Sequence, residues 1–455
     1  PFLISASPKN PPSHAERSLT GYIRIKIRRV RRNQTLIPEW VVRYHPMYSR
    51  EPKLSMIKHK YYVETTAFLS YVLFAMAWVG GTASMPQIME AMALEGMASA
   101  SLISGAVTLA KIAGTFIAAW FAVKLGLKIA FFVSAVMVTV GFFTPHAPSY
   151  DLLLISRFLM GLGGALMVVY FNPIVIKWFD ANERPIVNGI NSVAFNIGAC
   201  VILFWFTDIS DFFGGWKNAL TVFSIASAIL AVLFILTDFE GSEDQQAKHS
   251  GQSQDYSYLQ GLKDPFNWVY PLTFSGLLSI FICVFTFYPQ AGISQTKYVV
   301  GFGVLGTVIG IILGRKSSQR LPPIRWSGFF LILSSCGLSF SDNAVVQNIS
   351  AIVLGICIFI PYAALITLPQ ELPNMSGKRI TVVFSLFYSV SYLISTVVLW
   401  LFGWLVDINE GNFTPSFILI TIVSGSLFIG SFFLPETGKT LTKVVPSDAE
   451  ANAKA

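Results

Sequence analysis

Long apolar runs separated by short polar loops fill the chain from about residue 62 to residue 435. A run of about 18 or more apolar residues predicts a membrane-crossing helix, because about 20 residues at 1.5 Å rise span a hydrocarbon layer of about 30 Å. Twelve such helices are expected, at about 63–88, 99–123, 127–146, 152–176, 187–207, 217–237, 267–288, 296–314, 326–341, 346–369, 380–405 and 414–434. Membrane strands would instead show alternating segments of about ten residues between turns. These runs are too long and too uniform for that. The expected class is all-α: a polytopic membrane protein with twelve transmembrane helices.

The polar segments divide the chain. Residues 1–61 form a basic arm in which Arg24, Lys26, Arg28, Arg29, Arg31 and Arg32 alternate with apolar residues. Residues 62–237 form a six-helix half, 238–265 a polar linker, 266–435 a second six-helix half and 436–455 a polar tail. Met56 would make an ordinary start, so residues 1–55 read as an upstream extension or as a basic arm at anionic lipid head groups. The halves look duplicated. Gly114-Thr115-Phe116-Ile117 has a counterpart 192 residues later in Gly306-Thr307-Val308-Ile309, Arg184 and Arg379 lie 195 apart, and Trp216 and Phe413 lie 197 apart. Duplicated halves that sandwich a midplane site are the architecture of alternating access.

Composition narrows the class further. Of 455 residues, 53% are hydrophobic and 12% charged. Soluble proteins carry about a quarter of their residues as charges, so a soluble enzyme is excluded. The net charge of +8 is accounted for by the eleven Lys/Arg and three Glu of residues 1–55, and the remainder sums to zero. That distribution gives no reason to expect nucleic acid. With the amino terminus inside, the inner loops and tail after residue 61 hold fifteen Lys/Arg and the outer loops hold two, Lys217 and Lys297. Both termini are therefore expected in the cytoplasm. Cys200, Cys283, Cys336 and Cys357 all fall inside spans and read as small packing residues, with neither a metal site nor a cofactor implied. No phosphate-binding loop for ATP and no hydrolase motif is present.

Several motifs resemble those of the major facilitator superfamily. Arg157-Phe-Leu-Met-Gly161-Leu-Gly163-Gly164-Ala165 matches its RxxxGxGxA pattern, and Val123-Lys124-Leu125-Gly126-Leu127-Lys128 is similar to a reduced form of its loop after span two. Gly310, Gly314, Arg315 and Lys316 form the second-half counterpart, and Trp178-Phe179, Glu183-Arg184 and Phe432–Gly438 are also family-like. The resemblance covers about 60–440. Leu368–Pro373 and Gly403–Asp407 with Phe413-Thr414-Pro415 look most like the cyanate/nitrate-permease branch. The resemblance implies a transporter of two pseudo-symmetric six-helix halves, and a role for Arg157 in coupling and helix contacts near the central cavity.

Charges inside the spans carry the rest. Only Lys111 and Arg157 lie deep in them, while Glu64, Asp151 and Glu371 stand at span ends. A charge at that depth costs about 2.5–3.5 kcal/mol or more and should face protein or water. Ser104, Thr108, Lys111 and Thr115 fall within about 60° of helical arc, one polar stripe. Its ammonium would attract an anion, or it would pair with backbone carbonyls. Span five carries Asn188, Ser192 and Asn196, and span eleven Thr381, Ser385, Tyr388, Tyr392 and Ser395. The substrate-binding candidates are Lys111, Thr108, Ser104, Thr115, Arg157, Asn196, Asn188, Tyr388 and Tyr392. The gating candidates are Lys124, Gly126, Lys128, Gly314, Arg315 and Lys316.

The expected function is secondary active transport of a small polar, anionic solute by rocker-switch alternating access. The setting is a bacterial plasma membrane, the protein a monomer among lipids, with protons or a counter-substrate as the coupling species. An exporter of drugs, siderophores or metabolites is the alternative, and a non-transporting receptor or assembly component a further one.

Overall fold

The computed structural model describes residues 53–437 apart from 181–182, 238, 240–257, 318, 374 and 376. Most of the basic arm, most of the linker and most of the tail therefore lie outside the described residues. Those described are helical throughout apart from connecting turns. The helices are α1 (Lys53–Ala83), α2 (Met85–Ala91), α3 (Met97–Thr139), α4 (Tyr150–Trp178), α5 (Arg184–Ser192), α6 (Ala194–Phe212) and α7 (Trp216–Ile235). After the linker come α8 (Tyr258–Lys263), α9 (Phe266–Thr286), α10 (Thr296–Lys316), α11 (Leu321–Phe340), α12 (Ala344–Thr367), α13 (Gly377–Ile408), α14 (Thr414–Ser424) and α15 (Ser426–Gly430).

Helix stands at every one of the twelve expected positions, and ten of these segments are long and apolar enough to cross a membrane. The other two are α11, which carries Arg325 and four serines, and the stretch Thr414–Gly430, which is shorter and divided between α14 and α15 at Gly425. Spans two and three, expected as separate helices, run almost continuously as α3. The break between them is at Gly126, whose φ of 75° and ψ of 155° lie outside the helical region. Nothing lies within 4 Å of where a Cβ on Gly126 would sit, so a side chain there costs backbone strain alone, about 1–3 kcal/mol. Gly126→Ala should therefore lower the unfolding temperature. Gly314→Ala, in regular helix with its nearest neighbour at 4.0 Å, should leave it unchanged or raise it.

The duplicated sequence packs in a duplicated way. In the first half α3 lies against α4, and in the second α10 lies against α12. A Cβ on Gly161 would come within 2.8 Å of the Val107 backbone, and one on Gly355 within 2.2 Å of the Val299 backbone. The two glycines are 194 residues apart and the two valines 192. The absent side chain lets two helix backbones touch, which is how small residues promote close helix packing in lipid. The halves meet through α3 with α13, α6 with α10, and α1 with α9.

The end of the bundle holding Lys60, Glu183, Lys124 and Arg320 is called proximal below, and the end holding Met97, Tyr150 and Asp407 distal. Among the described residues, three ion pairs stand at the proximal end. Lys60 bonds Glu183 at 2.7 and 2.8 Å, Arg320 forks onto Glu371 at 2.6–3.1 Å, and Arg379 reaches Asp264 at 3.1 Å. The Lys60 ammonium holds the Glu183 carboxyl below the usual carboxylate range.

Candidate functional site

Lys111 sits on the stretch of α3 that packs against α13, midway between the proximal and distal ends, and is only 5% exposed. Its Nζ lies 5.0 Å from the ring centre of Trp78, 5.4 Å from Tyr392, 5.5 Å from Phe74 and 6.0 Å from Phe195. Those rings come from α1, α13 and α6, so both halves contribute. Ring faces within about 6 Å attract a cation, more strongly once water is excluded. Among the described residues the ammonium makes no hydrogen bond and no ion pair. It is a desolvated charge held by aromatic faces alone. Gly164 helps place Phe74, because a Cβ there would fall on the Phe74 ring.

The rest of the stripe is engaged. Ser104 accepts from Trp78 Nε1 at 3.2 Å, lies 3.0 Å from Thr82 Oγ1 and accepts from Thr286 Oγ1 at 3.3 Å. Thr108 pairs with Thr396 at 2.6 Å, and Thr115 with Ser389 at 3.0 Å. Ser104, Thr108 and Thr115 thus stitch the first half to α9 and α13 rather than lining free space. The single polar face read from spacing is a seam, with Lys111 as its one unbonded member.

Arg157 is fully buried and its donors point at neighbouring helices. Nε donates to the Ile103 carbonyl at 3.0 Å, Nη1 to Ala77 at 3.0 Å, and Nη2 to Trp78 at 2.9 Å and to Thr82 Oγ1 at 3.3 Å. The guanidinium ties α4 to α1 and α3. These bonds engage the Arg157 donors in tying helices together.

The span-five stripe is not one face. The helix breaks at Val193 between α5 and α6, where a shorter three-residue bond from Val193 N to Ile190 O replaces the regular ladder. Asn188 is half-buried, Ser192 exposed and Asn196 buried. Asn196 carries an Nδ2 with no hydrogen-bond partner. Asn191, which the spacing did not single out, is buried beside Glu64, the two side chains within interaction range but outside ideal hydrogen-bond geometry. Glu64 itself, assigned to a span end, is 9% exposed with neither carboxylate oxygen bonded. On α13, Tyr392 faces Lys111, and the Tyr388 hydroxyl lies 2.9 Å from that of Tyr362. Tyr71 completes a cluster of tyrosines within electrostatic range of Tyr392.

At the proximal end, the Lys124 ammonium lies 4.7 Å from the centre of its own helix's Trp120 ring. The Gly314 carbonyl accepts from Arg320 Nη1 at 3.0 Å. Among the described residues no hydrogen bond or ion pair carries Lys124, Lys128, Arg315 or Lys316 across to the other half. The charged contact between halves is distal. Asp407 at the end of α13 accepts from Met97 N at 2.6 Å and Ala98 N at 2.9 Å in the first turn of α3.

Comparison with known proteins identifies the family. The Major Facilitator Superfamily profile matches residues 67–396. An uncharacterized protein of Campylobacter jejuni is 27% identical over 309 residues, 65% of this chain and 95% of its own length. A probable nitrate transporter of Staphylococcus epidermidis is 25% identical over 242 residues, 51% of this chain and 61% of its own. Among solved structures, the inward-open xylose transporter XylE from E. coli superposes with a TM-score of 0.64 at 16% identity, covering 84% of this chain and 99% of that one. A bacterial homolog of the human lysosomal transporter Spinster, inward-facing and occupied, gives 0.64 at 16% identity over 82% and 96%. With its helices, its duplicated packing and this profile match, the chain belongs to the Major Facilitator Superfamily of membrane transporters.

Proposed function

We propose that the protein is a secondary transporter of a small polar anionic solute, and that it works by rocker-switch alternating access around Lys111. The observation that carries this reading is the buried Lys111 ammonium, which has no anionic or carbonyl partner among the described residues. An unpaired buried cation costs stability, and an arriving anion supplies the missing partner. The similarity to a probable nitrate transporter supports an anion, and the fold shared with a D-xylose-proton symporter marks a neutral sugar as the competing solute. In this reading the proximal end faces the cytoplasm of a bacterial cell. Lys124, Lys128, Arg315 and Lys316 are then gate residues that meet only when that end closes. A proton or counter-substrate is the coupling species.

Lys111→Met tests it. Removing the charge while keeping the chain volume should hold or raise the unfolding temperature. In proteoliposomes the same variant should lower uptake of inorganic and organic anions by about tenfold or more, the size of one lost charge-assisted hydrogen bond. Unchanged anion uptake with unshifted affinity would retire the reading.

A further inference from the structure

Resting on the anionic reading above, we infer that the solute is a monocarboxylate carried on an apolar, preferably aromatic, body. The charge balance gives the first half of this. Lys111 is the unpaired cation of the midplane, because the Arg157 donors reach carbonyls of α1 and α3. One uncompensated positive charge matches one negative charge. A dianion would bring a second charge into a low-dielectric site with nothing to offset it.

The donors left over give the second half. Trp78 Nε1, Thr108 and Thr115 already have partners. Among the described residues the Tyr392 hydroxyl donates to nothing, and its ring flanks the ammonium at 5.4 Å. Nitrate or phosphate surrenders water on three or four oxygens and needs a donor for each. A carboxylate gathers its charge on two oxygens at one end of the solute, which the ammonium and the Tyr392 phenol can meet while the rest of the solute lies against the walls. The walls around it are largely aromatic: Trp78 lies 5.3 Å from Phe195 and 5.7 Å from Phe285, and Phe281 lies 5.3 Å from Phe359. Such walls repel a hydrated inorganic ion and receive an apolar body by edge and face contacts. The site thus combines the anion selectivity of the first reading with the aromatic lining of an exporter's cavity.

The test is ligand-induced thermal stabilisation of the purified full chain, with benzoate, nitrate, phthalate and xylose at equal ionic strength. Benzoate at millimolar concentration should raise the unfolding temperature, and the other three should not. Lys111→Gln should abolish the benzoate shift. Tyr392→Phe, which keeps the ring over the ammonium, and Phe195→Leu should each weaken benzoate about tenfold. If nitrate or phthalate stabilises as strongly as benzoate through Lys111, the anionic reading stands and the monocarboxylate inference fails. If xylose alone stabilises, or benzoate acts equally on Lys111→Gln, the anionic reading fails with it. No benzoate shift in the unmodified protein also overturns the inference.

Discussion

Arg157→Lys should destabilise the first half severely although the charge is kept. The guanidinium fork reaches Ile103 on α3 and Ala77, Trp78 and Thr82 on α1 from one plane. An ammonium is a point donor on a flexible stem and cannot serve two helices at once. Its charge stays buried with most of its bonds lost, at a cost of about 3–5 kcal/mol. Arg157→Met removes the charge with the fork, and the carbonyls of α1 and α3 keep their own ladder bonds, so it should cost less. The expected order of unfolding temperature in detergent is wild type, then Met, then Lys. A Lys variant as stable as wild type would show that charge rather than geometry matters here.

Asp407→Ala should shift the protein toward a conformation open at the distal end. The first four N–H groups of a helix lack partners within it and carry the positive end of its dipole. Asp407 meets two of those groups on α3 from the opposite half, at 2.6 and 2.9 Å. Gly403, one turn earlier on α13, lets that helix approach the Met97 backbone, since a Cβ there would come within 2.6 Å of the Met97 carbonyl. Charge-assisted bonds of this kind contribute about 1.5–3 kcal/mol each, and 1.4 kcal/mol is tenfold in population. Spin labels at exposed Glu95 and Glu410, with the four native cysteines replaced, should show one short distance in the parent. In Asp407→Ala the distribution should broaden to longer distances. An unaltered distribution would mean that the latch does not set the equilibrium.

The spans were legible because burial in lipid demands long apolar runs, and nothing else in the sequence competes with that signal. The duplication was legible because Gly114 and Gly306 answer one packing requirement twice, and the structure adds Gly161 and Gly355 as a second such pair. Lys111 could be found because a charge in an apolar run stands out. Its surroundings could not. Trp78, Phe74 and Phe195 are aromatic residues among 38 Phe, 16 Tyr and 10 Trp, and no spacing marks the few that turn toward one ammonium. Spacing also mistook a seam for a lining. Thr108 and Thr115 lie on the Lys111 face, but whether a hydroxyl meets open space or Thr396 depends on the neighbouring helix. The span-five stripe failed at Val193, where a break between helices rotates the face. Asp407 and Arg320 were invisible as contacts because their partners lie 310 and 51 residues away.

The seam between α3 and α13 has a kinetic consequence. From the distal end inward it is closed by the Asp407 latch, then by Thr108 with Thr396, then by Thr115 with Ser389. Neutral hydroxyl pairs contribute about 0.5–1.5 kcal/mol each, and water can replace either partner. Parting such a seam proceeds like a zipper, bond by bond behind the carboxylate, with no single step comparable to breaking a buried ion pair. The rate of interconversion then depends on how readily water follows the opening edge.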